Sequence, residues 1–499
     1  MVMKRRVFMR TAAATAAATT LAAPAVGQRS RVLKFVPTAD LSSLDPIWTT
    51  TQTVQTHGYY VFDTLFGVNA KLEPKPQMAE GHTIEDDGRT WLIKLRPGLK
   101  FHNGEPVLAR DCAQSLKRWS ARDVFGQTAA GFVEEWTTTD DRTIKVKLKR
   151  PFPLLADALG KPNGMVPFIM PEHLAKTDPN KQVTEMIGSG PYRFLANEFV
   201  QGSHVAYQRF DGYVPRQEPA EWLTGGKRAH IERVEWKVIT DPSTVAAALQ
   251  NQEVDWWEQL QPDLLPLIRR MAHMRVHNTN PIGYNGTLRF NHLHAPFNNP
   301  AVRRAVALGL PQEDYMRAVT GNDDSLFTTC KALFPCGTRY GAELGGDVFK
   351  GDLAAARAAL KASGYNNEKV VVLNPADVPS ISPFGHVTFD YLRKLGMNVE
   401  LADTDWGSLV QRRNSREPIE RGGWSIFHTW WFGTSLAHPA ISTVIRGLGA
   451  RGWAGWFENA KVESLTAEWL IAATEAERDR LAEAIHRDCL LYTSPSPRD

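Results

Sequence analysis

Hydrophobic and polar positions change period repeatedly along this chain, and each change predicts an element. After Glu85-Asp86-Asp87-Gly88, a solvated turn cluster containing a hairpin dipeptide, Trp91, Ile93 and Leu95 alternate with polar neighbours at strand spacing. A tight Arg96-Pro97-Gly98 turn then leads to a second short hydrophobic strand and a loop entering a helix. On that helix Cys112, Leu116 and Trp119 fall at i, i+4 and i+7, one buried stripe.

The same reading extends in both directions. Arg31 to Pro37 predicts a strand, and residues 55–66 a helix with Tyr59, Phe62 and Phe66 on one face. Thr143 to Leu148 is a strand, followed by the proline-rich segment 151–171. Gly188-Ser189-Gly190-Pro191-Tyr192 is a glycine turn feeding a strand, since Pro191 excludes a helix there. Val234 to Ile239 is a strand, and Asp241 caps a helix through Leu249. The pattern resets over 272–290 with new strands, and helix 300–309 follows with Pro300 in its first turn. Asp352 opens a helix carrying Leu353, Ala356 and Leu360 on one face, and Gly364 stops it. Strand 369–373, helix 383–395 and strand 397–401 come next, so helix and strand alternate as in an α/β lobe. A charged helix over 475–488 closes the pattern; Leu491 to Asp499 has none, and residues 489–499 read as a non-native tail.

Length places this pattern in two or three domains, because 499 residues exceed what one core supports. The first 25 residues read as an export signal, with Lys4-Arg5-Arg6-Val7-Phe8-Met9-Arg10 of twin-arginine type and Ala23-Pro24-Ala25 as the cleavage site. No cysteine lies near that site, so a lipid-anchored form is not expected. The whole chain carries a net charge of +4, and removing the signal takes Lys4, Arg5, Arg6 and Arg10 with it, leaving the mature chain neutral. Nucleic acid is therefore not an implied partner. Cys330 and Cys336 flank a five-residue loop that a disulfide can close in an oxidising compartment, with two free thiols as the alternative. Cys112 reads as core.

Catalytic patterns are missing: there is no nucleophile elbow, HExxH, phosphate loop or dinucleotide fingerprint. His292-x-His294 has strand spacing without a third ligand nearby, so neither a metal nor a cofactor is implied. Trp256-Trp257 reads as packing near a hinge, and Asp403 and Asp405 as loop and cap residues.

Several motifs in fixed order carry a family resemblance. They are Leu44-Asp45-Pro46 with Tyr60-x-x-x-x-Leu65-Phe66, the hairpin and HNGEP-like loop of 86–106, Gly188 to Tyr192, and Asn291-x-x-x-x-Pro296-Phe297-Asn298-Asn299-Pro300-Ala301-Val302-Arg303-Arg304-Ala305. From about residue 30 to 488 the chain resembles the family 5 solute-binding proteins of peptide-type ABC transporters. The resemblance implies an α/β fold of two lobes, the periplasmic binding protein type II fold (cluster C-like), with an extra subdomain in the first lobe. Residues 30–47, 185–270 and 466–488 would form lobe I, residues 48–184 the extra subdomain, and residues 275–465 lobe II. It further implies a monomeric periplasmic protein that captures a peptide or peptide-like solute by hinge closure and delivers it to ABC permease subunits.

In peptide-binding members of that family, contacts come from a stretch after the Leu-Asp-Pro triplet, here Thr50-Thr51-Gln52. A second set comes from an Arg-x-Gly-Trp turn, matched by Arg421-Gly422-Gly423-Trp424. Oligopeptide binders place an Asp three residues later for the ligand ammonium; this chain has Phe427, and Ser425 to Phe432 contains no carboxylate. Asp40 or Glu258 would then have to supply the anion, or the ligand lacks a free amine. Arg421 would clamp a carboxylate or pair on the surface. Trp424, Trp430, Trp431 and Phe432, with His428 and Thr429, complete the candidate set and suit a flat or apolar ligand body. His428 can equally be structural, and on a strand one of the two tryptophans must face the core. A non-peptide ligand (an opine, a glycosidic compound or a metal chelate) and, more remotely, a secreted hydrolase are the alternatives.

Overall fold

The computed structural model describes residues 32–280, 282–321, 323–472 and 474–493, so the export signal expected at 1–25 and the tail residues 494–499 lie outside the described residues. Three sheets organise the chain. The first has the order Tyr192–Phe194, His204–Arg209, Arg233–Lys237, Val32–Val36, Trp256–Trp257. Its first three strands are antiparallel, and Val32–Val36 runs parallel to both of its neighbours. One face buries Phe35, Tyr207 and Trp236 against Val54 and Val61 of the helix Gln52–Val61, and Val36 on the other face packs on Val245, Leu249 and Ile268.

The second sheet, Ala79–Glu85, Thr90–Leu95, Thr143–Leu148, Val133–Asp140, is antiparallel throughout. Trp91, Ile93, Leu95, Ile144, Val146 and Leu148 are buried from alternating positions against Cys112, Leu116 and Trp119 of the helix Ala109–Ser120. The third sheet has the order Tyr284–Phe290, Ile426–Phe432, Lys369–Pro375, Asn398–Thr404, with only the first pair antiparallel. Val370 to Leu373 are buried without alternation, as a central strand covered on both faces requires. The helix Ser382–Leu395 makes the crossover to Asn398–Thr404, and Gly396 ends it at a left-handed φ of 101°.

Four elements differ from the sequence reading. The helix expected at 55–66 spans Gln52–Val61 instead: Phe62 is extended, its N–H bonds to Gly58 O, and Asp63-Thr64 pair with Phe168-Ile169. Tyr59, Phe62 and Phe66 share helical spacing by coincidence, because Phe62 and Phe66 enter different apolar clusters. The second strand expected after Arg96-Pro97-Gly98 shrinks to one bridge, Lys100 to Pro106, because Gly104 at φ 92° folds the segment on itself. Among the described residues of 272–290, Tyr284–Phe290 alone forms a strand. The last helix runs on to Thr493, since Leu481, Ile485 and Cys489 continue one buried stripe on the cluster that holds Trp469. Cys330 and Cys336 are disulfide-bonded, with Cα atoms 5.9 Å apart.

Asp45 ties the segment after the Val32–Val36 strand to the helix Ala109–Ser120 and the loop of 177–183. Fully buried, it accepts from Arg118 Nη1 and Nη2 (3.2 and 2.6 Å), Ile47 N and Val183 N, while Arg118 also donates to Thr177 O and Lys181 O. Replacing Arg118 by Met strands a buried carboxylate, so the unfolding free energy from urea titration should fall by about 3–5 kcal/mol. A loss under about 1 kcal/mol would contradict this role.

Acid should weaken the fold through its interior histidines. Burial holds His57, His428 and His438 neutral, with pKa values near 3. The unfolded chain takes up protons at these sites below about pH 6.5 and the native chain does not, so their neutral-state stability is complete above pH 6.5 and declines as pH drops toward 3. A denaturant midpoint that is lower at pH 5 than at pH 7.5 is the expected result.

Candidate functional site

A narrow crevice of about 40 Å³ lies where the first lobe and its subdomain meet the third sheet, lined by Thr50, Gln52, Gln55 and Gly164 on one side and by Trp430, Trp431, Phe432 and Ser435 on the other. The near wall follows from the Asp45 anchor. Ile47 N bonds to that carboxylate, the chain emerges at Thr50, and the helix starts at Gln52. Gln55 Nε2 donates to Thr50 O at 2.8 Å and Thr53 Oγ1 to Asp40 O at 3.1 Å, which fixes the first turn.

The far wall is the end of the strand Ile426–Phe432, where side chains alternate between the faces of the sheet. Trp430 packs on Tyr284 with centroids 4.2 Å apart and donates to Ser380 Oγ at 3.1 Å. Trp431 points to the other face, 5.4 Å from the Trp453 ring, and its buried Nε1–H has no hydrogen-bond partner. Both rings are half-buried and both border the crevice.

Two polar contacts bridge the walls: Asn163 Nδ2 donates to Thr434 Oγ1, and the Tyr284 hydroxyl donates to Gln52 Oε1 at 3.4 Å. Gln52 Nε2 in turn donates to Glu258 Oε1 at 2.7 Å, and Thr38 N to Glu258 Oε2 at 2.9 Å. Burial raises the Glu258 pKa, partly offset by those hydrogen bonds. Tyr284 is pushed up to about 12, first by burial and then by the Glu258 charge.

Of the residues singled out in the sequence, Thr50, Gln52, Trp430 and Trp431 are brought together here. Thr51 precedes the helix as its N-cap without a side-chain bond, its Oγ1 buried and unpartnered. Arg421 lies elsewhere, on an exposed turn where it pairs with Glu417 at 2.7 Å. Gly423 is the tight point of that turn: a Cβ there would stand 1.9 Å from Glu417 O. Trp424 and Phe427 are wholly buried with Leu409 and Trp456, and Thr429 is buried one residue short of the crevice. His428 lies inside the second lobe, its Nε2 2.8 Å from Thr388 Oγ1, and lines a larger cavity of about 350 Å³ walled entirely by residues 284–489.

Gln55, Gly164, Ser435 and Tyr284 escaped sequence reading, whereas Phe432 does line the crevice as its place among the rings suggests. Strand alternation through Phe432 points to the wall end, but no local pattern announces Gly164 or Tyr284, which only the tertiary fold delivers. His294 Nε2 bonds to Arg416 O, and among the described residues no group of three or more His, Cys, Asp or Glu converges as a metal site.

Two α/β lobes facing each other across a crevice built by both define a binding protein of the two-lobed class. Residues 73–450 match the model of the bacterial extracellular solute-binding proteins, family 5 Middle, and the chain belongs to this family. It is therefore an exported binding protein and not an enzyme. It is 37% identical to the probable peptide ABC transporter periplasmic-binding protein y4tO of Sinorhizobium fredii over 452 residues, 90% of this chain and 84% of the relative. In fold it is similar to DppA from Helicobacter pylori in complex with the peptide STSA (TM-score 0.77, 20% identity, 93% of this chain and 90% of that one). It is likewise similar to AgaA from A. tumefaciens R10 in complex with agropinic acid (TM-score 0.72, 20% identity, 93% and 90%).

Substitutions on the two sides should separate the crevice from the Arg421 turn. Trp431→Phe keeps an aromatic ring beside Trp453 while removing the unpartnered N–H and part of the indole, so solute affinity should fall by roughly five- to tenfold with the unliganded fold retained. Arg421→Ala, which breaks an exposed pair worth about 0–1 kcal/mol, should leave affinity unchanged. The reverse pattern in calorimetric titrations would move the site to the turn.

Proposed function

We propose that this chain is a periplasmic receptor that captures a peptide or peptide-like solute between its lobes and delivers it to the permease of an ABC transporter. The crevice carries this reading: Thr50 and Gln52 belong to one lobe, Trp430 to Phe432 to the other, and a ligand touching both favours the closed arrangement by differential affinity. The half-buried rings suit side chains of varied shape, and the Trp431 N–H is free for a ligand carbonyl or carboxylate. The names of y4tO and of the peptide-bound DppA support the solute class. Export by the twin-arginine route, without lipidation, follows from Lys4 to Arg10 and the cysteine-free cleavage region, and the receptor acts as a monomer.

A non-peptide solute is the second reading. No charged side chain lines the crevice, and the similar AgaA holds agropinic acid. Thermal unfolding of the receptor with free peptides, N-blocked peptides, opines and sugars decides between them. A ligand at a hundred times its Kd stabilises the native state by about 2.7 kcal/mol, a rise in Tm of roughly 3 °C for a protein of this size. A rise with peptides is expected; a rise with opines or sugars alone would overturn the peptide reading.

A further inference from the structure

We infer that Glu258 is the anion that receives the ammonium group of the ligand, and that Gln52 and Tyr284 complete its acceptor set. This rests on the reading of the chain as a peptide receptor.

The second lobe offers no carboxylate beside the crevice on its strand Ile426–Phe432, and the lining side chains are all uncharged. A peptide amine buried there would be left without an anion, at a cost of several kcal/mol. Glu258 stands one hydrogen bond behind the wall on the first-lobe side, on the chain leaving the edge strand Trp256–Trp257, with its backbone N bonded to Val36 O. Its oxygens accept only from neutral donors, Thr38 N and the Gln52 amide, and no cation acts on it among the described residues. A partly buried carboxylate held without a counter-ion next to a binding crevice is an unsatisfied demand for positive charge.

The neighbours suit a primary ammonium in particular. Because Glu258 accepts, the Gln52 side chain must turn its NH2 toward it and its oxygen toward Tyr284. An ammonium has three N–H donors and finds three acceptors on these side chains: a Glu258 oxygen, Gln52 Oε1 and the Tyr284 hydroxyl oxygen. Tyr284 and Trp430, packed together at the crevice, add ring faces that attract a cation. Asp40 is the weaker candidate, since its Oδ1 is engaged by Leu41 N within its own loop.

The test uses the full chain, a pool of free-amine tripeptides and the same pool N-acetylated, with Kd values from thermal-shift titration. Wild type is expected to bind the free pool at least roughly tenfold more tightly than the acetylated pool. Glu258→Gln, which keeps the shape and an acceptor for Thr38 N, should lose that preference while its unliganded Tm stays within about 2 °C of wild type. Equal binding of both pools by wild type would overturn the inference without any variant, and so would a Glu258→Gln protein that retains the preference. In both cases peptides still bind and the peptide reading survives. If wild type binds neither pool but responds to an opine or a sugar, the peptide reading fails and the ammonium assignment falls with it.

Discussion

Asp45 and Arg118 meet where solvent reaches neither, and removing two charges from water is tolerable only because almost every polar atom of the pair is used. Asp45 collects two guanidinium nitrogens and two backbone N–H groups; the remaining guanidinium donors reach carbonyls at 177 and 181. Three remote parts of the chain are thereby tied at one point: the segment after the Val32–Val36 strand, the helix Ala109–Ser120 and the loop of 177–183. The crevice wall begins five residues beyond Asp45. A hydrophobic contact could hold these parts together, but it would not fix the direction in which Thr50 and Gln52 leave the joint, whereas a bidentate pair does.

The elements legible in the sequence were those in which one period ran uninterrupted. Trp91, Ile93 and Leu95, the Cys112-Leu116-Trp119 stripe, and the alternation of helix and strand from 352 to 404 specify both element and buried face. Legibility failed where apolar residues served two cores at once. Phe62 and Phe66 look like one helical face, yet the chain turns between them to pair with Phe168 and Ile169, a contact of high sequence separation that no local window contains. The last helix was underestimated for another reason: the unpatterned segment that follows drew the boundary at 488, whereas the stripe of Leu481 and Ile485 continues through Cys489.

The site was legible as two separated segments and illegible as a surface. Thr50, Gln52, Trp430 and Trp431 do meet, but Arg421 and Trp424 sit near them in sequence and away from them in space. Gly422 at φ 85° and the tight Gly423 reverse the chain before the strand begins, so the guanidinium stays on an exposed turn and the Trp424 ring enters the interior. From Ile426 onward each residue advances about 3.3 Å, and only the final three reach the lobe boundary. Proximity in sequence to a binding motif therefore carried little weight against strand direction.

The physics of binding follows from how the two walls of the crevice meet. A crevice of about 40 Å³ is far below the roughly 300–1,000 Å³ that ligand sites occupy, so the walls must separate before a peptide enters. Parting the walls at the crevice breaks the Asn163–Thr434 and Tyr284–Gln52 bonds, both of a kind worth about 1 kcal/mol net, while away from the crevice Phe334, Ala440, Ile445 and Phe457 share one apolar cluster with Trp119 and Phe125. The connecting segment 272–280 is largely exposed and has no regular structure, so it can absorb the rotation. A small closing energy in the free protein is what a receptor needs: the ligand's own contacts then decide the equilibrium, and contacts available only in the closed form decide it most strongly. The Trp431 N–H and the Glu258 carboxylate are two polar groups that the described residues leave without an acceptor and without a cation. A ligand long enough to reach both would gain from each only when the lobes close, which couples recognition to the movement that the permease would sense.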